Sequence, residues 1–73
     1  MYLEVNMKAG DFVVIESTVN ATLYRISSID KGFAHLVIPK RNGTEVDGGS
    51  AMLSELFYPN AKQREEYKDI LKG

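Results

Sequence analysis

The chain has 73 residues, 44% of them apolar, with no cysteine or tryptophan and nine Lys and Arg against ten Asp and Glu, a net charge of -1. A chain this short holds one domain, which buries only roughly 60% of its unfolded surface, and the missing cysteines remove disulfides and thiolate metal sites as supports. The scattered, balanced charge excludes a general polyanion binder, which needs a concentrated basic surface, and the apolar content excludes disorder.

Met1 to Met7 has no cationic start and no long apolar run, so it is expected to be neither a secretory signal nor a membrane span, and the expected location is cytoplasmic. Tyr2 to Val5 has the composition of a short add-on strand. Lys8-Ala9-Gly10-Asp11 is a Gly-Asp turn, and it feeds a strand over Asp11 to Glu16 whose run Phe12-Val13-Val14-Ile15 is apolar on both faces. Ser17 to Asn20 is a polar loop of residues that bond their own backbone. The next strand runs from Ala21 to Ile29, with Tyr24 and Ile26 on one face and Leu23, Arg25 and Ser27 on the other.

Asp30-Lys31-Gly32 predicts a tight hairpin with glycine at a positive φ. In the strand Phe33 to Ile38, Ala34, Leu36 and Ile38 share one face while Phe33, His35 and Val37 share the other. Pro39 ends the pairing or marks an edge, and Asn42-Gly43 is the strongest hairpin signal in the chain. Thr44 to Asp47 returns, and Gly48-Gly49 allows a bend or bulge before Ser50 to Leu53. Leu53-Ser54-Glu55-Leu56 suits one helical turn. Asn60 as N-cap with Gln63 three positions on predicts a helix from Ala61 to about Leu71, with Tyr67, Ile70 and Leu71 on its docking side.

The resulting fold class is mainly β: a single antiparallel barrel of four or five strands over about 8–56, with a C-terminal helix over about 60–71. The order Lys-x-Gly-Asp-x-Val-x-Ile, Tyr24-x-Ile26, Ser28-Ile29-Asp30-x-Gly32, Ala34-x-Leu36 and Leu53-Ser54-Glu55-Leu56 resembles the SH3-like small β-barrels, which include KOW and Tudor-type modules. The resemblance implies three short hairpins and a helical turn before the last pairing. The aromatic signature of peptide-binding SH3 domains is missing, which disfavours polyproline recognition. A barrel followed by a helix also resembles the small archaeal chromatin barrels, but those are strongly basic and their DNA binding does not carry over.

No catalytic, cofactor or metal site is expected. His35 is the lone histidine and reads as a packed or half-exposed strand residue, because a nucleophile needs a base and an orienting group around it. Dispersed carboxylates lack metal-ligand spacing. Asn20-Ala21-Thr22 and Asn42-Gly43-Thr44 match the N-glycosylation pattern and read as turn chemistry.

The apolar surplus is the better functional signal. Two strands are apolar on both faces, and the face outside the barrel needs cover from the terminal helix or from another chain. The expected role is a non-enzymatic module that binds a protein partner or forms a homodimer, with Phe33 and Tyr58 as anchors and Lys40 and Arg41 as a charged rim. One alternative is an RNA- or DNA-binding accessory using Arg25, Lys31, Lys40 and Arg41. Another is a phage or mobile-element protein that blocks a host protein. No membrane or small-molecule partner is expected.

Overall fold

The computed structural model describes residues 7–72; the strand expected over Tyr2 to Val5 lies outside them. Four strands, β1 (Phe12–Val13), β2 (Tyr24–Asp30), β3 (Phe33–Pro39) and β4 (Glu45–Met52), pair antiparallel in chain order as a curled half-barrel. A 3-10 turn (Leu53–Glu55) and two short helices, α1 (Ala61–Glu66) and α2 (Lys68–Leu71), follow.

The Gly-Asp turn starts the sheet as its residues suggest. Gly10 N donates to Ile26 O at 2.7 Å and Ile26 N donates to Asp11 O at 2.9 Å, so two turn residues share one partner before Phe12 pairs with Arg25. The first strand is shorter than Asp11 to Glu16. After Val13 the chain changes neighbours: Val14 exchanges two backbone hydrogen bonds, of 2.8 and 2.9 Å, with Phe57 beyond the 3-10 turn. Among the described residues, the pairing beyond the four strands is this one bridge. The second strand likewise starts late, at Tyr24, because Ala21 and Leu23 are buried outside the ladder.

Both hairpins form where turn residues place them. Lys31 (φ 53) and Gly32 (φ 85) are both left-handed and make a two-residue turn between the paired Asp30 and Phe33; two such residues match the twist of the flanking strands. At the second hairpin Lys40 N bonds to Thr44 O (2.8 Å) and Gly43 N to Lys40 O (3.0 Å), a three-residue loop closed by Gly43. Asn42 Oδ1 accepts from Thr44 N (3.1 Å) and Thr44 Oγ1 (2.7 Å), which is the turn chemistry expected of Asn42-Gly43-Thr44. Pro39 sits at the end of β3, still in register with Glu45.

The expected bulge falls at Gly48: Leu36 pairs with Gly49 while Val37 pairs with Asp47, so Gly48 is the extra residue. A Cβ at Gly48 would lie 3.0 Å from Tyr24 Cδ1 and 3.2 Å from Ile38 Cγ1, so a larger residue requires those side chains to give by a few tenths of an ångström. The inner face carries Val13, Ile26, Ala34, Leu36 and Ala51, which form one cluster with Met7 and Leu56. Each fully buried Val, Leu or Ile is worth about 1.5–3 kcal/mol.

Asn60 caps α1 as expected, with Gln63 N donating to Asn60 Oδ1 and Asn60 N to Gln63 Oε1, both at 2.9 Å. The single helix expected to about Leu71 is instead broken at Tyr67 (φ -107, ψ 20). There the phenol leaves the helix to donate to Ala21 O at 2.8 Å. Such short helices are marginal alone, and side-chain hydrogen bonds hold them down. Gln63 is fully buried, and its Nε2 donates to Glu16 O (2.8 Å) and Thr18 O (2.7 Å). No helix among the described residues is long and apolar enough to cross a membrane.

Candidate functional site

Strand alternation turns Phe33, His35 and Val37 away from the core, and the β3–β4 register sets Met52, Ser50 and Asp47 across from them. Phe33 is 51% exposed and the Met52 directly opposite is 46% exposed. Beside this pair lies an open groove of about 430 Å³ lined by Asp30, Lys31, Phe33, His35 and Ser50. His35 Nε2 is 3.2 Å from Asp47 Oδ1, and both side chains are largely exposed. An exposed cross-strand apolar pair keeps apolar surface in water that another molecule can bury.

The terminal helices do not cover this face. Their bonds go to the loop at Glu16, Ser17, Thr18 and Ala21 and to the second hairpin at Arg41. They do reach the β1 side, where the half-buried Phe12 lines a groove of about 280 Å³ with Tyr58, Arg64 and Leu71. The expectation that a second apolar face needs cover thus divides in two. The helix end approaches β1, and among the described residues nothing covers the Phe33–Met52 pair on the β3–β4 face.

Tyr58 is 52% exposed, and its hydroxyl donates to Asp11 Oδ2 at 2.9 Å. That bond, with burial and the Asp11 charge added, raises the Tyr58 phenol above its ordinary value. Burial acts to raise the Asp11 carboxyl, but hydrogen bonds from the Lys8 amide and from Tyr58, with the Lys8 charge, outweigh it and hold the group low. Tyr58 lines the β1 groove and Phe33 the β3–β4 groove, so the two expected anchors belong to different surfaces.

The expected rim also divides. Lys40 is exposed in the loop, whereas Arg41 reaches back to the helices. Its Nε donates to Asp69 Oδ2 (2.6 Å), its Nη2 to Glu66 O (3.2 Å), and the guanidinium lies 5.8 Å from the Tyr67 ring centroid. The bond to Asp69 and its charge raise Arg41 and lower Asp69 from their ordinary values. Arg25 is held similarly by a two-pronged contact to Glu45 at 2.6 and 2.7 Å, which raises the guanidinium and lowers the carboxyl. Of the four cations considered for nucleic acid, Arg25 and Arg41 are in ion pairs, while Lys31 and Lys40 sit at separate turns.

Met52, Asp47 and Gln63 carry parts of this arrangement that sequence reasoning passed over. Alternation alone put Met52 on a strand, and only the register set it against Phe33. No group of three His, Cys, Asp or Glu side chains among the described residues is placed to hold a metal ion. No family model, curated protein or solved structure matches the chain.

Proposed function

We propose that this chain is an SH3-like small barrel that works as a non-enzymatic protein-binding module, docking a partner on the outer face of β3 and β4 with Phe33 as anchor. Support for the barrel class comes from the order of hairpins and from the 3-10 turn that precedes the Val14–Phe57 pairing. The observation that carries the binding role is the exposed Phe33–Met52 pair on a face the terminal helices leave open. Tyr58 serves a second surface or the packing of the β1 groove, and Arg41 serves the helices. The nucleic-acid reading has less support, since two of its four cations are already paired.

The test is capture of interacting protein by wild type, Phe33→Ala and Tyr58→Ala. Phe33→Ala abolishes capture while the thermal midpoint stays within a few degrees of wild type, because a half-exposed ring contributes little to the core. Undiminished capture by a folded Phe33→Ala protein overturns the assignment. Binding of single-stranded RNA that weakens steeply with salt would support the nucleic-acid reading instead.

A further inference from the structure

We infer that the outer edge of β4 pairs with an extended, cationic segment of a protein partner, an inference that rests on the proposed protein-binding role and names the partner's chemistry. β4 is the terminal strand of the sheet, so among the described residues one side of its backbone has no neighbour in the ladder. Leu53 N donates toward β3, to Gly32 O at 2.9 Å, and alternation therefore turns the backbone groups of Ser50 and Met52 away from β3. An unpaired edge is a template for another strand, and proteins commonly guard it with lysine, proline or a bulge. Here the guard is incomplete. The Gly48 bulge bends the edge and the Glu55 carboxylate takes the Met52 N–H, but the arm Gly49 to Met52 carries neither lysine nor proline and the Ser50 N–H and the Ser50 and Met52 carbonyls face outward.

Charge selects the occupant. From Asn42 to Ala61 the chain has no Lys or Arg and three carboxylates, Glu45, Asp47 and Glu55. Glu45 is held by Arg25; Asp47 Oδ1 lies 3.2 Å from His35 Nε2 but keeps its side chain 75% exposed, and Glu55 Oε1 accepts from the edge N–H of Met52 at 3.2 Å. A second copy is the wrong occupant: antiparallel pairing of two β4 edges centred on Ser50 or Ala51 brings Glu55 of one copy toward Glu45 or Asp47 of the other, and like charges across strands repel. An incoming strand with lysine or arginine two residues either side of an apolar side chain meets the carboxylates and extends the Phe33–Met52 patch. Main-chain bonds then supply affinity, and alternate side chains supply selectivity.

The probe is a capped peptide, Thr-Lys-Thr-Val-Thr-Lys-Thr, titrated into the 15N-labelled full chain. Two controls accompany it: the same peptide with glutamate for lysine, and one with N-methyl groups on alternate amides. The lysine peptide shifts the Ser50 and Met52 amides saturably, and each control binds roughly tenfold or more weakly, the scale of one or two lost main-chain hydrogen bonds or charge contacts. Asp47→Lys, at an exposed position, reverses the preference between lysine and glutamate peptides. Binding that survives N-methylation but is lost in Phe33→Ala overturns edge pairing and leaves docking on the face intact. Unmoved Ser50 and Met52 amides at millimolar peptide overturn the inference, as do shifts that grow with protein concentration alone, which point to a second copy.

Discussion

Gln63→Glu tests whether a buried amide holds the terminal helices to the barrel. The substitution keeps the volume and leaves an oxygen to accept from Asn60 N, but it sets a second oxygen against Glu16 O and Thr18 O, now donor-bonded at 2.8 and 2.7 Å. Two lost hydrogen bonds cost about 1 kcal/mol each. A carboxylate in that position is also disfavoured as the anion, and a rise of about two pKa units adds about 3 kcal/mol at neutral pH. Because Glu16 and Thr18 are themselves exposed and water can relieve part of the penalty, the total is about 3–5 kcal/mol. That compares with a stability of ~4–11 kcal/mol for a domain this size. The sign with pH follows from the raised folded pKa. The charge penalty is absent below the ordinary glutamate value of about 4.3 and grows as pH rises toward the folded value. Urea denaturation of wild type and variant at pH 4 and pH 7 should therefore give a difference of about 1–2 kcal/mol in acid and the full loss at neutrality. Equal differences at the two pH values, or a loss under about 0.5 kcal/mol at pH 7, would refute the account.

Gly48→Ala should destabilise by about 1 kcal/mol, the low end of overpacking, because its Cβ crowds the Tyr24 and Ile38 side chains; a thermal midpoint equal to or above wild type means that those side chains give way freely. Arg41→Ala should raise amide hydrogen exchange several-fold over α1 and α2 while β2 and β3 stay protected, since the Asp69, Glu66 and Tyr67 contacts join those helices to the hairpin; uniform change across the chain argues against a local clasp. Glu45, Asp69 and Asp11 all have lowered carboxyls, against ordinary values of 4.5, 3.8 and 3.8. Their contributions are present above those ordinary values and are lost as pH falls through the lower folded ones. The thermal midpoint should thus decline in acid below about pH 4, and Glu45→Gln should flatten that decline. An unchanged slope in Glu45→Gln would detach the Arg25 pair from acid stability.

Local chemistry settles much of this molecule before any long-range contact is considered. Turn residues set the two hairpins, since Lys31-Gly32 and Asn42-Gly43 suit left-handed backbone and loop geometry that other residues resist. Period-two alternation put Ala34 and Leu36 on one face and Phe33 and His35 on the other, because successive side chains of a strand point to opposite sides, and the fold buries the first pair. The Asn60–Gln63 cap was legible for the same reason: both partners lie within one helical turn. What tertiary structure decided are the contacts spanning many residues. That Arg41 clasps Asp69 depends on where α2 lands, and nothing near either residue in sequence specifies it. Gln63 is buried because the loop at Glu16 and Thr18 offers carbonyls at the right distance. The separation of Phe33 from Tyr58 also arises there, from a chain that leaves β4, turns once and crosses to Val14. Charges and hydrogen-bonding groups act through space, so a sequence names the candidates and the fold chooses among the partners.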